Sequence, residues 1–313
     1  MPFNLNDISS LLCCPDDKAA MAACASGMRC EQCHRFYPLL SANVLELLPS
    51  RPITFPDVSE RSPYREGYLR EFLRPLEIRA DAKAWGAPEA LSPKWLRLRE
   101  RQTREVFRFL RDEPCEANLI FCDLSAGAGY CTFRAAQQYR LVFHCDLSMD
   151  ALAYASAKAG ARHIDNIIFV HADYFQPPFR SRIDHLACLD TLIRGPWHET
   201  RLLRSIQSVL TSTGTAVVDF HNWWHNPLRR LGLLSDNFVG NKSYTRKELT
   251  NLLVNSGIGK FETKPFVQEL DPGRALGKLL ARLIPPTRLM VRIAGLGAVH
   301  SQTRSARQQA ANA

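Results

Sequence analysis

Three apolar runs in the middle of this 313-residue chain each end in an aspartate: "NLIFCD" in Asp123, "LVFHCD" in Asp146 and "NIIFVHAD" in Asp173. After Asp123 comes "LSAGAGYCT", where Gly127 and Gly129 stand two apart among small residues. Such a turn lets backbone N–H groups approach a ligand closely. A nucleoside-triphosphate loop needs G-x-x-x-x-G-K-[ST], and no Lys follows Gly129. A dinucleotide fingerprint needs G-x-G-x-x-G, and Thr132 stands where the third glycine belongs. An acid ahead of the glycines would repel a pyrophosphate and attract a cation.

The stretch "DLSAGAG" resembles the D-x-G-x-G-x-G signature of class I methyltransferases, with Ser125 in place of the first glycine. The resemblance covers roughly residues 115–270. It implies S-adenosyl-L-methionine as cofactor, whose α-amino group and sulfonium supply the cation that Asp123 would attract. Ser125, Gly127 and Gly129 would form the turn, with Asp146 accepting the ribose hydroxyls and Leu147 beside it. Ala172 and Asp173 would read the adenine edge. An alternative is that each acid merely caps the helix after it. That fits any one of the three and fits the ordered set of three poorly.

These residues need strands to carry them. The runs ending at Asp123, Asp146 and Asp173, then "IDHLACLD" and "TAVVDF", read as five strands. Between or after them "TFRAAQQY", "MDALAYASAKAG", "HETRLLRSIQSVL" and the capped "TRKELTNLLVNSG" read as helices, and "KFETKPFVQEL" as one or two closing strands. Apolar strands alternating with helices predict an α/β fold, a Rossmann-like parallel sheet covered on both faces. Upstream, "WLRLRERQTREVFRFLRDE" places Trp95, Leu98, Val106, Phe107 and Leu110 on one helical face, and its arginines read as a solvated one.

The N-terminus holds Cys13, Cys14, Cys24, Cys30 and Cys33. Cys30-x-x-Cys33 is one metal knuckle, but Cys14-x-x leads to Asp17. The frame "LLCCPDDK…MRCEQCHRFYPLLSANVLELLP" resembles the zinc ribbon of the tRNA-methyltransferase activator subunit, a domain also fused to bacterial methyltransferases. Tyr37-Pro38 and Val44 to Leu48 match its frame. The resemblance implies a structural Zn2+ on Cys14, Asp17, Cys30 and Cys33, with Cys13 or His34 able to replace Asp17. The other outcome is a ribbon standing on its apolar core without metal.

Acceptor chemistry belongs after the fourth and fifth strands. Asp190 and His198 follow the fourth, and His221 follows the tip of the fifth directly, making it the leading base for a hydroxyl or carbon acid. The (D/N/S)-P-P-(Y/F/W) signature of amino-methylating nucleic-acid enzymes is missing after the fourth strand; "QPPF" comes before it. The net charge of +9 gathers at the far end, where seven Lys or Arg and no acid follow Asp271. In that stretch Leu276, Leu279, Leu280, Leu283 and Ile284 form a helical stripe, and Leu289 to Leu296 repeat the mixture. Pro285-Pro286 ends the first segment. One reading is an interfacial helix that brings residues 274–296 to an anionic lipid surface, and the other is a helix packed on the domain.

The expected organisation is a zinc-ribbon-like domain (1–49), a linker and helical lead-in (50–112), a methyltransferase domain (113–270) and a basic amphipathic tail (271–313). Hydrophobic content of 46% and charge of 23% are ordinary for a globular protein, and nothing resembles a signal peptide or spanning segment. The default is therefore cytoplasmic, with peripheral contact at the inner face of the membrane open. The expected activity is methyl transfer to a small molecule or lipid-linked intermediate, with nucleic acid not favoured. An RNA methyltransferase and a non-catalytic methyltransferase-like scaffold are the alternatives.

Overall fold

The computed structural model describes residues 4–40, 43–50, 88, 91–110, 118–191, 196–223, 231, 243–266 and 287–295. The N-terminal part has a short helix α1 (Leu5–Ser9) and four strands, β1 (Met21–Cys24), β2 (Gly27–Cys30), β3 (Phe36–Leu40) and β4 (Val44–Leu47). Next come α2 (Pro93–Leu110), β5 (Ile120–Leu124), α3 (Tyr130–Ala135), β6 (Leu141–Asp146), α4 (Met149–Ala161), β7 (Ile167–Ala172) and β8 (Ile183–Cys188). The chain continues with α5 (Pro196–Val209), β9 (Leu210–Asn222), β10 (Ser243–Tyr244), α6 (Arg246–Asn255), β11 (Phe261–Phe266) and β12 (Arg288–Ala294).

One sheet orders these strands β1-β2-β3-β4-β7-β6-β5-β8-β9-β12-β11, with β10 beside β9. Strands β4, β7, β6, β5, β8 and β9 run parallel to one another, while β3 is antiparallel to β4 and β12 is antiparallel to both β9 and β11. Five- and six-residue apolar runs suit a sheet buried on both faces; all five residues of β5 and all six of β7 are buried. Helices α1, α5 and α6 supply Leu5, Leu202, Ile206, Leu249 and Leu253 to one face. Helices α2, α3 and α4 supply Leu98, Val106, Ala135 and Leu152 to the other, where Phe107 stacks on Phe121 at 5.4 Å. Of the stripe expected on α2, Leu98, Val106, Phe107 and Leu110 are buried and Trp95 is exposed. This is the Rossmann-like fold the sequence predicts.

The four-stranded ribbon within residues 1–49 packs onto the sheet, and the linker expected after it lies largely outside the described residues. Its strand β4 lies parallel to β7, with Leu45 opposite Val170 and Leu47 opposite Ala172. Tyr37, Leu45 and Leu47 are buried in the same core as Cys122, Val170 and Ile293. The ribbon therefore covers a sheet edge that would otherwise present unpaired backbone groups.

The far end of the chain corrects the sequence reading. Residues 288–294, read as the second half of an amphipathic tail over 274–296, form β12 in the interior of the sheet. Leu289, Met290, Val291 and Ile293 are buried there. A short run of apolar residues and arginines satisfies a helical and an extended period alike, and burial between β9 and β11 decides for the strand. The sheet accordingly extends past residue 270, and residues 288–294 are a strand where the sequence predicts the second stretch of the tail. The stripe from Leu276 to Ile284 lies outside the described residues. Among the described residues no helix is long and apolar enough to cross a membrane.

Candidate active site

The turn after β5 takes the conformation its composition permits. Gly127 and Gly129 have φ of 52° and 78°, and Ser125 has φ of 65°. A non-glycine residue there costs about 1–2 kcal/mol, which explains the glycine that the signature carries at this position. At Gly129 a Cβ would come within 3.0 Å of the Phe133 ring and 3.3 Å of His144. The turn is tied to β6, since Ala126 donates to the Cys145 carbonyl (3.0 Å) and Gly127 to Asp146 Oδ2 (2.7 Å). Asp146 Oδ1 accepts from Ser148 N (2.8 Å), the residue that caps α4, and burial pushes the Asp146 carboxyl above its usual range. Leu147 is buried beside it.

Asp123 is buried at the tip of β5, and its Oδ2 accepts from both the amide (2.8 Å) and the hydroxyl (2.7 Å) of Thr132. The Thr132 hydroxyl also meets His144 Nδ1 at 2.8 Å. Burial pushes the Asp123 carboxyl up to about 7 and His144 down to about 3. Asp173, one residue beyond β7, accepts from Phe175 N through Oδ1 (2.8 Å). Its Oδ2 is buried with no hydrogen-bond partner among the described residues, and burial raises this carboxyl to about 7. Ala172 is buried beside it.

On the other side of the turn, β8, β9 and β12 end in a cluster of opposite charges. Arg288 pairs with Asp190 and, at 2.6 Å, with Asp219; Arg99 of α2 pairs with Asp190. The Asp190 amide donates to Asp219 Oδ1 (2.7 Å), and Gln102 reaches Asp219 Oδ2 (3.1 Å). Asp190 has φ of 59°, a conformation Asp tolerates better than most residues. Asp190 is thus held between the guanidiniums of Arg99 and Arg288. Arg99 leaves the solvated face that the α2 sequence predicts. No sequence signal marked Arg99 or Arg288, because their partners lie 91 and 98 residues away. His221 is buried near the end of β9, in register with Ser243 of β10 and Arg288 of β12. His198 lies in the first turn of α5, and its side chain is outside the described residues.

In the ribbon, one ligand atom from each of Cys14, Asp17, Cys30 and Cys33 lies within 4.8 Å of the others. Sγ of Cys14 and Cys33 are 3.8 Å apart, which is the edge of a tetrahedron with zinc–sulfur bonds of about 2.3 Å. The amides of Gln32 and Cys33 both donate to Cys30 Sγ at 3.3 Å, as suits a thiolate. Asp17 takes the place open in the knuckle, 3.4 Å from Cys30 Sγ. Neither Cys13 nor His34 joins this group. The donor set fits the metal that the sequence predicts.

Residues 121–214 match a family model described as a methyltransferase domain. No curated protein matches the chain. Among solved structures, the chain is similar to one from the complex between the Haloferax volcanii Trm112 methyltransferase activator and a candidate methyltransferase. That pair is 17% identical with a TM-score of 0.51, covering 70% of this chain and 99% of the other. Two more are phosphoethanolamine N-methyltransferase 2 of Haemonchus contortus, in complex with phosphomonomethylethanolamine and S-adenosylhomocysteine (12% identity, TM-score 0.47, 62% of this chain), and magnesium protoporphyrin IX methyltransferase of Synechocystis PCC 6803 with bound S-adenosylhomocysteine (16% identity, TM-score 0.47, 64% of this chain and 92% of that one). The chain spans about half the length of the Haemonchus protein, 52%. The likeness to the Haloferax chain shows the fold, and within that fold residues 121–214 are similar to a methyltransferase domain.

Proposed function

We propose that the chain methylates a small molecule or a lipid-linked intermediate, with the cofactor over β5, β6 and β7 and the acceptor over β8 and β9. The observation that carries the cofactor placement is Asp173 Oδ2, a buried acceptor without a donor among the described residues. A buried polar atom of this kind is costly unless a ligand completes it, and the exocyclic amine of adenine is such a donor. Ala172 would flank the adenine, Asp146 and Leu147 the ribose, and the turn of Ser125, Gly127 and Gly129 the remainder. When bound, the cofactor supplies an electrophilic methyl group, so positioning provides most of the rate. His221 is the proposed base where the acceptor is a hydroxyl.

A small acceptor is supported by the charges at the acceptor-side strand tips, which Arg99, Arg288, Asp190 and Asp219 neutralise among themselves. In the ribbon, Arg35 pairs with Asp16 (2.8 Å) and Arg29 donates to the His34 carbonyl (3.0 Å), so these cations are committed locally. That speaks against an RNA-binding ribbon. The ribbon is proposed to hold one structural zinc and to brace the adenine side in cis. Cys13 N donates to Pro178 O (3.0 Å), Lys18 Nζ to Pro177 O (3.2 Å) and Arg180 N to Leu11 O (3.0 Å). Calorimetry with S-adenosylhomocysteine tests the cofactor site, and its failure would leave a scaffold. Comparing metabolites of a deletion strain with its parent identifies the acceptor, while salt-dependent retention on bulk tRNA or rRNA would favour the RNA alternative.

A further inference from the structure

Helix α3 begins without the side chain that normally caps a helix. Its N-cap is Gly129 at φ 78°, with no side-chain cap hydrogen bond. Close contact with Phe133 and His144 keeps a larger residue out of that position. An N-cap side chain would accept from the third helical amide, which here belongs to Thr132. That amide donates instead to Asp123 Oδ2, across from β5.

The same oxygen accepts the Thr132 hydroxyl. The Thr132 hydroxyl oxygen is also in hydrogen-bond contact with His144 Nδ1. Asp123, Thr132 and His144 are all nine-tenths buried or more. The turn is thus pinned at both ends: Asp146 and the Cys145 carbonyl hold its start, and Asp123 and His144 hold its exit into α3.

We propose that Asp123 is a positioning residue, a remote cap that sets α3 and the Gly127–Gly129 turn through Thr132, and is not the ligand of the cofactor's amino group. This rests on the cofactor placement above. It reverses the role that the sequence resemblance assigns to Asp123. The chain Asp123–Thr132–His144 fixes where the turn meets the whole nucleoside, so its loss is felt along the cofactor and not at one end.

Two probes separate the roles: S-adenosylhomocysteine, and 5′-methylthioadenosine, which lacks the amino-acid moiety. Expected results are that Thr132→Val and Asp123→Asn each weaken both nucleosides at least tenfold, that the double variant is no weaker than the worse single, and that Thr132→Ser binds like the wild type. Loss of S-adenosylhomocysteine affinity in Asp123→Asn with 5′-methylthioadenosine affinity unchanged would make Asp123 a direct ligand and overturn the proposal. So would a Thr132→Val protein that binds both nucleosides normally. If Thr132→Val does not fold, the ratio of the two affinities in Asp123→Asn decides alone. Wild-type protein that bound neither nucleoside would remove the cofactor placement itself.

Discussion

Leu47 pairs with Ala172 in parallel register, so the last residue of the ribbon's outer strand lies beside the residue that precedes Asp173. Ribbon and adenine side are therefore one piece of sheet. Deleting residues 1–49 would strip β4 from β7 and uncover the core that Tyr37, Leu45 and Leu47 now close. The expected outcome is loss of soluble protein together with S-adenosylhomocysteine binding, read by soluble yield and calorimetry. A soluble, cofactor-binding remainder would show the ribbon to be dispensable.

Metal analysis of purified protein should find one zinc per chain, and Cys30→Ser should abolish it. Structural zinc contributes directly to folding, so chelation should lower the melting temperature. Because Asp17 supplies one of the four donors, Asp17→Cys should retain metal and bind it more tightly.

In the ligand-free protein the contribution of Asp123 and Asp173 to pH dependence has a definite sign. Burial raises Asp123 and Asp173 to about 7, above the ordinary carboxylate value of 3.8. Between those limits these two carboxyls bind more protons in the folded than in the unfolded state, so the stability they contribute is fully present below about pH 4 and is lost as pH rises through 7. His144, depressed to about 3, contributes the opposite slope below its ordinary value of 6.5. Asp173→Asn should flatten that fall in melting temperature between pH 5 and 8. It should also weaken S-adenosylhomocysteine at least tenfold, about 1.4 kcal/mol. Unchanged affinity in Asp173→Asn would remove Asp173 from the site.

Asp190→Asn keeps a side chain suited to positive φ but leaves Arg99 and Arg288 side by side without their shared anion. The expected cost is about 1–3 kcal/mol of stability, discounted for the partial exposure of Asp190 and Arg99. The pH profile of methyl transfer should keep its shape. Loss of the acidic limb would show Asp190 to be a base. His221→Asn should lower kcat while sparing cofactor affinity.

Most of the cofactor side was legible because its signals are local. Asp123, Asp146 and Asp173 each end an apolar run, and φ beyond zero at Gly127 and Gly129 is what their side-chain-free backbones allow. The helix cap at Thr245 with Glu248 was equally plain. The metal group was half local: Cys30 and Cys33 form the knuckle, and Cys14 and Asp17 arrive by the fold. What could not be read was long-range. Arg99, Arg288 and Asp190 meet only when α2, β8 and β12 are assembled, and β12 carries no period that separates strand from helix. The role of Asp123 needed the position of Thr132, nine residues on, which depends on a helix start and not on a motif.

Strand β12 also bears on how the protein is made. It lies between β9 and β11, both of which leave the ribosome before it, and nearly seventy residues separate it from His221, its partner in register. Until Arg288 to Ala294 have been synthesised, β9 keeps an open edge and Asp219 waits for its counter-charge. Folding of the acceptor side is therefore tied to the synthesis of β12, while β5, β6 and β7 can already pair with one another. Between those two moments the nascent sheet carries a temporary edge on β9, the place where a chaperone or a second nascent chain would find it.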